Sequence, residues 1–478
     1  MSLPPELQSA LTRRAFLGRT TQGVGGLALA SLLGPAALAA PGATGALSRL
    51  PLPQKAKRVI WLSMAGGPSH LETFDPKPKL AAMHGQPMPE SFTKGQQLAQ
   101  LQGQKLTCFG PQHKFAKFGR DQTEICELFP QIGSVLDEIC LIRSMTTDAI
   151  NHDPAHMFMN TGSQIAGRPS MGSWVTYGLG TEAADLPGFV VLTSLGKGGQ
   201  NQPIAARQWS SGFLPSKHQG VQLRSKGDPV LYLSNPPGVS RDSQGGDVDA
   251  IAKLNLHRER FVADPEVATR VAQYEMAFKM QASVPQLMDV KDEDPKTLAL
   301  YGCQPGDGSF AANCLLARRL AERGVKFIQL YHQDWDHHGS LPSGIKKECL
   351  QTDQPAAALI ADLKQRGMLD ETLVVWGGEF GRTNYSQGIM AAYNFGRDHH
   401  PRCFSLWMAG GGVKPGITYG KTDDYSYNIV ENPVEVHDLH ATLLHLLGLD
   451  HKRLTYRSQG RDYRLTDVKG DVVPALLA

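Results

Sequence analysis

The sequence lacks the signatures of several protein classes. No run of lysine and arginine forms a basic stripe, and the formal net charge is only +3, so nucleic-acid binding is not expected. No two of the seven cysteines have zinc-ligand spacing, and their odd number leaves at least one outside any internal disulfide. One or two bridges would be allowed in an oxidising compartment, but most of the cysteines are interpreted as small core residues.

The N-terminal segment has no apolar run long enough for a stable membrane span, and it predicts export instead. Residues 12–17 read TRRAFL, followed by a mildly apolar, Gly- and Ala-rich stretch at 24–38 and a small-x-small cleavage site at 37–39. This pattern is typical of a twin-arginine signal peptide, predicted over 1–40. We expect a periplasmic or otherwise exported protein, the twin-arginine translocation machinery as a partner, and no transmembrane segment in the mature chain. An ordinary secretory signal and an uncleaved anchor are the alternatives.

Beyond a Pro- and Ala-rich linker at 41–57, strands alternate with helices. Short apolar runs predict strands at 58–63, 139–143, 188–192, 326–331, 373–376 and 404–408. Periodicity and capping residues predict helices at 124–137, 154–160, 248–290, 310–323, 354–366 and 436–447. This alternation indicates an α/β fold with a mostly parallel central sheet and helices on both faces. One domain is expected over 58–478, with a loop and helical insertion at about 197–300.

Polar residues of the kind that bind metals stand near the ends of the predicted strands. They are His70 and Asp75 beyond the first strand, His152 beyond the second, Asp336 and His338 after 326–331, Glu379 after 373–376, and His399 ahead of 404–408. In open parallel sheets, ligands bind beyond the carboxyl ends of the strands. Mixed imidazole and carboxylate ligands suit zinc, manganese or iron, whereas calcium and magnesium prefer oxygen. The placement therefore predicts a divalent-metal site.

The adjacent histidines in these loops have different expected roles. His337 and His338 are neighbours, so their side chains diverge in an extended loop and only one is expected to ligate. Alternate residues can converge on one ion, which favours His338 with Asp336. By the same argument, one of His399 and His400 is expected to be structural.

Some of the other polar residues have structural explanations. Glu379 is equally well explained as a helix-start carboxylate, and Asp75 as a turn residue before Pro76. His437 and His440 lie within one turn of an apolar helix, so they are interpreted as core or interface histidines rather than ligands.

The chain also resembles a known family. Six motifs carry the resemblance: IWLSMAGGPSHLETFDPKP, NHDPAHMFMNTG, WDHHG, VVWGGEFGRT, GRDHHPRCFSLWMAGGGVKPG and VHDLHATLLHLLGLD. They look like the exported family labelled domain of unknown function 1501, which is sulfatase-like and belongs to the alkaline phosphatase superfamily. The resemblance runs from about residue 55 to the C-terminus. It implies a central sheet with a one- or two-metal site that stabilises the oxyanions of phosphate or sulfate esters.

The resemblance implies metal ligands residue by residue. Asp336 and His338 match the Asp and His ligands of one metal, and His399 matches the late imidazole that closes the site (a lysine in many sulfatases). Glu379 stands where sulfatases have an Asp ligand, and Phe380 stands where they have a His. The implied cofactor is one or two divalent ions, with zinc or manganese favoured and calcium or magnesium as alternatives.

Two departures from the superfamily pattern affect the expected chemistry. The metal-ligating Asp at the end of the first strand is missing, because glycines stand at 66–67, so His70 or Asp75 is expected to substitute. No Ser, Thr or Cys stands at the superfamily's nucleophile position after the second strand. His152 lies nearest to that position, and His156 stands where sulfatases have a substrate-binding Arg.

Three functions are compatible with this pattern. The first is a metal-dependent hydrolase of sulfate or phosphate esters, possibly of sulfated polysaccharides, with His152 as general base or nucleophile. Arg143, Arg168 or Arg382 would hold the anionic ester oxygens; Arg143 is predicted to be catalytic and Arg382 to bind substrate. The second is a catalytically inactive sulfatase-fold protein that binds an anionic glycan or an envelope partner. The third is a purely structural envelope protein.

Overall fold

A computed structural model describes residues 45–478 apart from 97, 225–228, 231–237, 239, 263–264, 305 and 391–393. The predicted signal peptide at 1–40 therefore lies outside the described residues. Within the described ranges, no helix combines the length and apolar character needed to cross a membrane.

Many short strands and helices make up the described chain. The strands are β1 (Arg58–Met64), β2 (Phe115–Phe118), β3 (Thr123–Cys126), β4 (Ile139–Thr146), β5 (Phe189–Ser194), β6 (Val221–Leu223), β7 (Phe327–His332), β8 (Thr372–Gly377), β9 (Gly381–Ile389), β10 (Asn394–His400), β11 (Phe404–Ala409), β12 (Thr418–Tyr419), β13 (Lys421–Thr422), β14 (Ile429–Glu431), β15 (Val434–Glu435), β16 (Tyr456–Ser458) and β17 (Arg461–Tyr463). The α-helices are α1 (Pro78–Ala82), α2 (Glu90–Thr93), α3 (Pro130–Ser134), α4 (His152–Thr161), α5 (Met171–Leu179), α6 (Arg241–Val262), α7 (Pro265–Met288), α8 (Pro295–Tyr301), α9 (Phe310–Glu322), α10 (Leu341–Gln365) and α11 (Val436–Leu446).

The central sheet has nine strands and is mostly parallel. Its order is β12-β4-β11-β8-β1-β7-β5-β6, and β15 also pairs with β4. Strand β1 is parallel to both β7 and β8, whereas β11 is antiparallel to both β4 and β8. The start of β11 therefore lies at the same edge of the sheet as the ends of β1, β4, β7 and β8. This edge collects all the loops that carry the predicted site residues.

Both faces of the sheet are covered, as the sequence predicts. Along β1, Ile60 and Leu62 belong to one hydrophobic cluster, and Val59 and Trp61 belong to another on the opposite face. The first cluster contains apolar residues of α9 and α10, and the second contains those of α5 and α11. Since β1 is buried on both sides, it reads as a continuous apolar run. The predicted fold class is confirmed.

Three predicted helices differ from the structure. Residues 124–137 do not form one helix: β3 pairs with β2 as an antiparallel hairpin, followed by the short α3 and a 3-10 helix at Leu136–Glu138. The helix predicted at 248–290 corresponds to two helices, α6 and α7. The helix predicted at 354–366 is the second half of the longer α10, which carries Pro355 within it. The predicted insertion at 197–300 contains β6, α6, α7 and most of α8.

The residues interpreted as core residues are buried. All seven cysteines are free and buried. His437 Nε2 lies 3.0 Å from the Gly162 carbonyl oxygen, and His440 Nε2 lies 2.8 Å from that of Met159. A carbonyl oxygen only accepts, so each ring donates from Nε2 and serves as a core hydrogen-bond donor.

The buried His440 predicts a loss of stability in acid. Burial lowers the pKa of His440 to about 3 from its usual 6.5. The unfolded chain therefore binds a proton that the folded chain does not between these pH values, and stability decreases as pH falls through this window. His440→Gln keeps a donor but cannot titrate, so the stability difference between wild type and variant should shrink by about 1.4 kcal/mol per pH unit at most. Denaturant unfolding at pH 7 and pH 4.5 measures this, and a constant difference would contradict it.

Candidate metal centre

The carboxylate of Asp336 lies in the middle of a histidine cluster beyond β7. Its Oδ1 lies 2.9 Å from His338 Nε2 and 3.4 Å from His399 Nε2. Its Oδ2 lies 3.2 Å from Nε2 of His152, at the start of α4. The ligand atoms of these four residues all lie within 4.8 Å of one another. The structure thus brings together four predicted site residues from loops that are distant in sequence.

The tautomers of His338 and His399 follow from their partners. His399 Nδ1 lies 2.8 Å from the carbonyl oxygen of Ile150, which can only accept, so Nδ1 carries the proton. His338 Nδ1 meets Gln387 Oε1. The amide of Gln387 is oriented by Gln100, since Gln387 Nε2 donates to Gln100 Oε1 at 2.8 Å. In the neutral form both rings therefore present an unprotonated Nε2, and these two nitrogens lie only 3.0 Å apart.

His152 has the same arrangement with a stronger acceptor. Its Nδ1 lies 2.6 Å from Glu379 Oε1, and its Nε2 has no hydrogen bond of good geometry. Burial alone would lower the pKa of His152, but the neighbouring carboxylates of Asp336 and Glu379 raise it above its usual value. A carboxylate on Nδ1 makes Nε2 more basic and fixes the ring orientation.

Glu379 is anchored by the glycines that end β1. The Gly66 N–H lies 3.1 and 3.2 Å from its two carboxylate oxygens, and the Gly67 N–H donates to Oε2 at 3.1 Å. Burial would raise the pKa of Glu379, but the nearby His156 and the hydrogen bond from His152 lower it to about 2. The two glycines after β1 thus hold the carboxylate of Glu379, which follows β8, beside the end of β1.

The guanidinium group of Arg382 is bound inside the protein, next to the cluster. Its Nε donates to the Gly67 carbonyl at 2.9 Å and its Nη1 to the Arg397 carbonyl at 3.1 Å. Its Nη2 bonds to the Gly66 carbonyl and to Asp336 Oδ1. All three nitrogens are engaged and the side chain is fully buried, so the geometry does not support the predicted substrate-binding role. Arg382 instead orients Asp336 and the glycine turn.

The charge state of the cluster suits a cation. Burial would raise the pKa of Asp336, but Arg382 and the neighbouring imidazoles of His152, His338 and His399 hold it far below its usual range. Burial also lowers the pKa of His399 to about 4, although Asp336 opposes this. Asp336 is therefore ionised and His399 neutral near pH 7, which are the forms that bind metals.

His156 lies behind this cluster rather than at its surface. It is one turn after His152 on α4, and its Nε2 lies 3.4 Å from Glu379 Oε1 without a hydrogen bond. Burial lowers its pKa. With His152 and Glu379 it forms a second group of possible ligand atoms. Because the side chain is almost completely buried, the predicted contact with substrate is not supported.

Two other predicted residues, His70 and Asp75, form no hydrogen bond or ion pair with this cluster among the described residues. His70 is buried beside Cys403, with Nε2 at 3.8 Å from the sulfur. Asp75 pairs with Lys77 at 2.9 Å and accepts hydrogen bonds from the hydroxyls of Thr422 and Ser426. The structure therefore does not bring His70 and Asp75 together with the candidate ligands, and their metal-binding roles remain predictions.

Arg143 also has different partners from those predicted. Its Nε donates to the Phe74 carbonyl at 2.7 Å and its Nη2 to the Glu124 carbonyl at 2.8 Å. It lines a separate surface pocket beside β12. The predicted catalytic role is not supported, because Arg143 lies within β4 and not in the loop beyond it. Arg168 likewise pairs elsewhere, with Asp467 at 3.0 Å.

The adjacent histidines are divided as the sequence predicts. His337 is not in the cluster and lies against Gly344. His400 donates from Nε2 to the Tyr427 carbonyl at 2.7 Å and is a core residue. The sequence analysis missed Gln387 and Gln200, which touch His338 and Asp336. Lone glutamines in loops carry no sequence signal that would have revealed them.

The donor set fits a divalent metal ion. Three imidazole nitrogens with their other ring nitrogen engaged, and one ionised carboxylate, are the groups that zinc, manganese and iron bind. Without a cation or an added proton between them, the two Nε2 lone pairs of His338 and His399 repel each other at 3.0 Å. This close approach is the observation that points most directly to a metal.

Gly66 is predicted to be essential for the geometry of this centre. Its φ is +119°, and a Cβ there would lie 2.5 Å from the backbone nitrogen of Asp336. Gly66→Ala should therefore displace Asp336 and Glu379 together and abolish metal binding. Gly167→Ala is the matched control, because Gly167 has a φ of +110° with nothing within 4 Å of a Cβ. If both variants lost the metal, backbone strain alone would explain the effect. If Gly66→Ala kept the metal, the prediction would be contradicted.

Several solved structures are similar to the chain at low identity. A sulfatase from Pseudoalteromonas sp. is 12% identical with a TM-score of 0.36, covering 100% of this chain and 76% of that one. A lipoteichoic acid synthase from Listeria monocytogenes is 11% identical with a TM-score of 0.33, covering 86% and 74%. The C-terminal periplasmic domain of an Escherichia coli protein, solved with zinc, is 9% identical with a TM-score of 0.33, covering 85% and 86%. Values this low carry no information on activity or substrate.

Sequence comparison identifies the family. No curated protein matches the chain significantly. The family described as "Protein of unknown function (DUF1501)" matches residues 56–477, which is nearly the whole described region. This match confirms the resemblance seen in the six motifs, and the chain belongs to the DUF1501 family.

Proposed function

We propose that the protein is a metal-dependent hydrolase of sulfate or phosphate esters. The convergence of three imidazole Nε2 atoms on the carboxylate of Asp336 supports this proposal most strongly. The cluster lies beyond the carboxyl ends of parallel strands, which is where α/β proteins bind ligands. The sequence motifs resemble those of sulfatase-like proteins, so the resemblance supports both a metal site and an ester substrate.

Asp336, His338 and His399 are the residues that would hold the ion. Asp336 Oδ1 faces both of these histidines, whereas Oδ2 faces His152. The ion would therefore lie on the Oδ1 side of the Asp336 carboxylate, and His152, on the Oδ2 side, would be available for proton transfer. Zinc or manganese suits the donors best, with calcium or magnesium as the alternatives for a site richer in oxygen.

The charge of the centre explains why an anionic ester would need the ion. With neutral imidazoles, Asp336 and Glu379 contribute two negative charges and Arg382 one positive charge, so the centre carries one net negative charge. A bound divalent ion would reverse the sign, polarise an ester oxygen and lower the pKa of a bound water. An anionic ester would then be attracted to a centre that otherwise repels it.

His152 and Glu379 form the proposed base. Glu379 keeps the proton of His152 on Nδ1, so Nε2 is free to take the proton of an attacking water. Because His152 is the first residue of α4, the positive end of that helix dipole lies beside it and favours a negative charge there. Glu379 would then orient a catalytic histidine rather than bind the metal.

The substrate class is proposed from the resemblance and the export signal. Sulfated glycans are anionic esters found outside the cytoplasm, and an exported sulfatase-like protein would meet them there. The periplasmic location and transport by the twin-arginine machinery remain proposals, since residues 1–40 lie outside the described residues.

A second candidate function is binding of an anionic glycan without turnover. It is favoured by the first turn of α4, which begins with His152, Asp153 and Pro154 and offers no hydroxyl or thiol nucleophile. In this case the ion would only attract the anion. Ester binding without product release would distinguish this function from hydrolysis.

Metal content is the first test of the proposal. Elemental analysis of the folded mature protein should give near-stoichiometric zinc, manganese or iron. Asp336→Ala and His338→Ala should lose it, because each removes one of the converging ligands. His445→Ala is the control, since His445 lies on α11 outside the cluster. A well-folded wild-type sample without metal would sink the metallohydrolase proposal.

Glu379→Gln tests the proposed base separately from the metal. A neutral amide leaves His152 less basic, so hydrolysis of aryl sulfate or phosphate esters should decrease by roughly a hundredfold. Metal content should stay at the wild-type value, because Glu379 is engaged with Gly66, Gly67 and His152. Loss of metal from this variant would instead show that Glu379 is a ligand, as the family pattern implies.

A further inference from the structure

A glycine-rich loop after β5 reaches the centre through one glutamine. Residues 195–200 read LGKGGQ and end in Gln200. Gln200 Nε2 donates to the main-chain oxygen of Asp336 at 2.9 Å, and its Oε1 accepts from the Asp336 N–H at 3.2 Å. Nε2 also lies 3.4 Å from Asp336 Oδ2. One side-chain amide thus binds both backbone groups and touches the carboxylate of Asp336.

Asp334 anchors this loop from an unusual backbone conformation. Its carboxylate accepts hydrogen bonds from the N–H of Gly198 and, at 3.3 Å, from that of Gln200. It is buried and has a φ of +85°, in the left-handed region that residues other than glycine rarely adopt. Such a conformation is strained and persists only where the surrounding contacts enforce it. Here those contacts lead directly to Gln200.

The loop can approach Asp334 only because it contains glycine. A Cβ on Gly196 or Gly198 would overlap the Asp334 side chain. Neither glycine has a positive φ, so each is required for space and not for its backbone conformation. The glycines therefore let the loop lie close enough to Asp334 for Gln200 to reach Asp336.

A buried carboxylic acid completes the anchor. Burial, and then the charge of Asp334, raise the pKa of Glu348 to about 8, so near neutral pH Glu348 is mostly protonated and donates to Asp334. Glu348 also lies 2.9 Å from His332 Nε2, and His332 Nδ1 lies 2.9 Å from the hydroxyl of Ser194. These contacts connect the loop to β5, β7 and α10, which are rigid parts of the sheet and its covering layer.

We infer that Gln200 is a positioning residue that sets the orientation of Asp336 for metal binding. The inference rests on the proposed function, because it assumes that Asp336 binds an ion. The backbone of Asp336 is fixed by Gln200, its Oδ1 is oriented by Arg382, and its Oδ2 faces His152. Outer partners of metal ligands commonly change metal affinity by tenfold to a hundredfold.

The test compares Gln200→Met with Gln202→Met. Methionine matches glutamine in length but cannot bind Asp336, so a role limited to filling space would be preserved. Gln202 lies on the same loop and uses its N–H to bind Gln333 Oε1, while its own side-chain oxygen has no partner. Zinc affinity, measured by competition with a chelator, should decrease by about tenfold to a hundredfold in Gln200→Met and stay unchanged in Gln202→Met.

Hydrogen exchange separates this inference from the proposed function. In metal-free protein, the amide of Asp336 should exchange faster in Gln200→Met than in wild type, because its acceptor is gone. Unchanged zinc affinity or unchanged exchange in Gln200→Met would overturn the inference. If wild type binds no metal, the proposed function fails, and the exchange rate of the Asp336 amide still decides whether Gln200 fixes this residue.

Discussion

The arrangement of the centre depends on the proton at Nδ1 of each histidine. His152, His338 and His399 each direct Nδ1 to an oxygen acceptor, so each leaves an unprotonated Nε2 facing Asp336. Three lone pairs and a carboxylate in one small volume repel one another in a region of low dielectric. The fold maintains this repulsion through acceptors supplied by Glu379, a glutamine and a main-chain carbonyl. A cation would relieve this repulsion. The acceptors on Nδ1 therefore matter as much as the candidate ligands, because they keep each Nε2 unprotonated.

Strand direction explains how residues so far apart in sequence meet. His152 follows β4, Asp336 and His338 follow β7, and Glu379 follows β8, all at the carboxyl edge of the sheet. His399 precedes β11, and it reaches the same edge only because β11 runs antiparallel to its neighbours. Because this one strand is reversed, the segment before it, and not the segment after it, supplies a candidate ligand at this edge.

The sequence predicted the positions of residues better than the directions of their side chains. Apolar runs located six of the nine strands of the central sheet but not the short β6, β12 and β15, and alternation favoured His338 over His337, because both depend on local spacing. The roles predicted for Arg382 and Arg143 rested on closeness in sequence to the expected site, whereas Arg382 binds main-chain carbonyls and Asp336 inside the centre and Arg143 binds carbonyls away from it. The sequence could not reveal the role of Gln200, because that role depends on a contact with Asp336, which lies 136 positions later in the chain.

The charge of the centre links metal loading to substrate binding. Arg382 is fully engaged inside the protein and Arg143 lies in another pocket, so neither supplies the cation that an anionic ester requires. Glu379 and Asp336 leave the centre negative until a divalent ion enters. In the proposed function, metal and ester would therefore not bind independently, because each would favour the other through the same electrostatic energy. A site built in this way excludes anions when it is empty and attracts them when it is loaded, whether or not His152 then completes a hydrolysis.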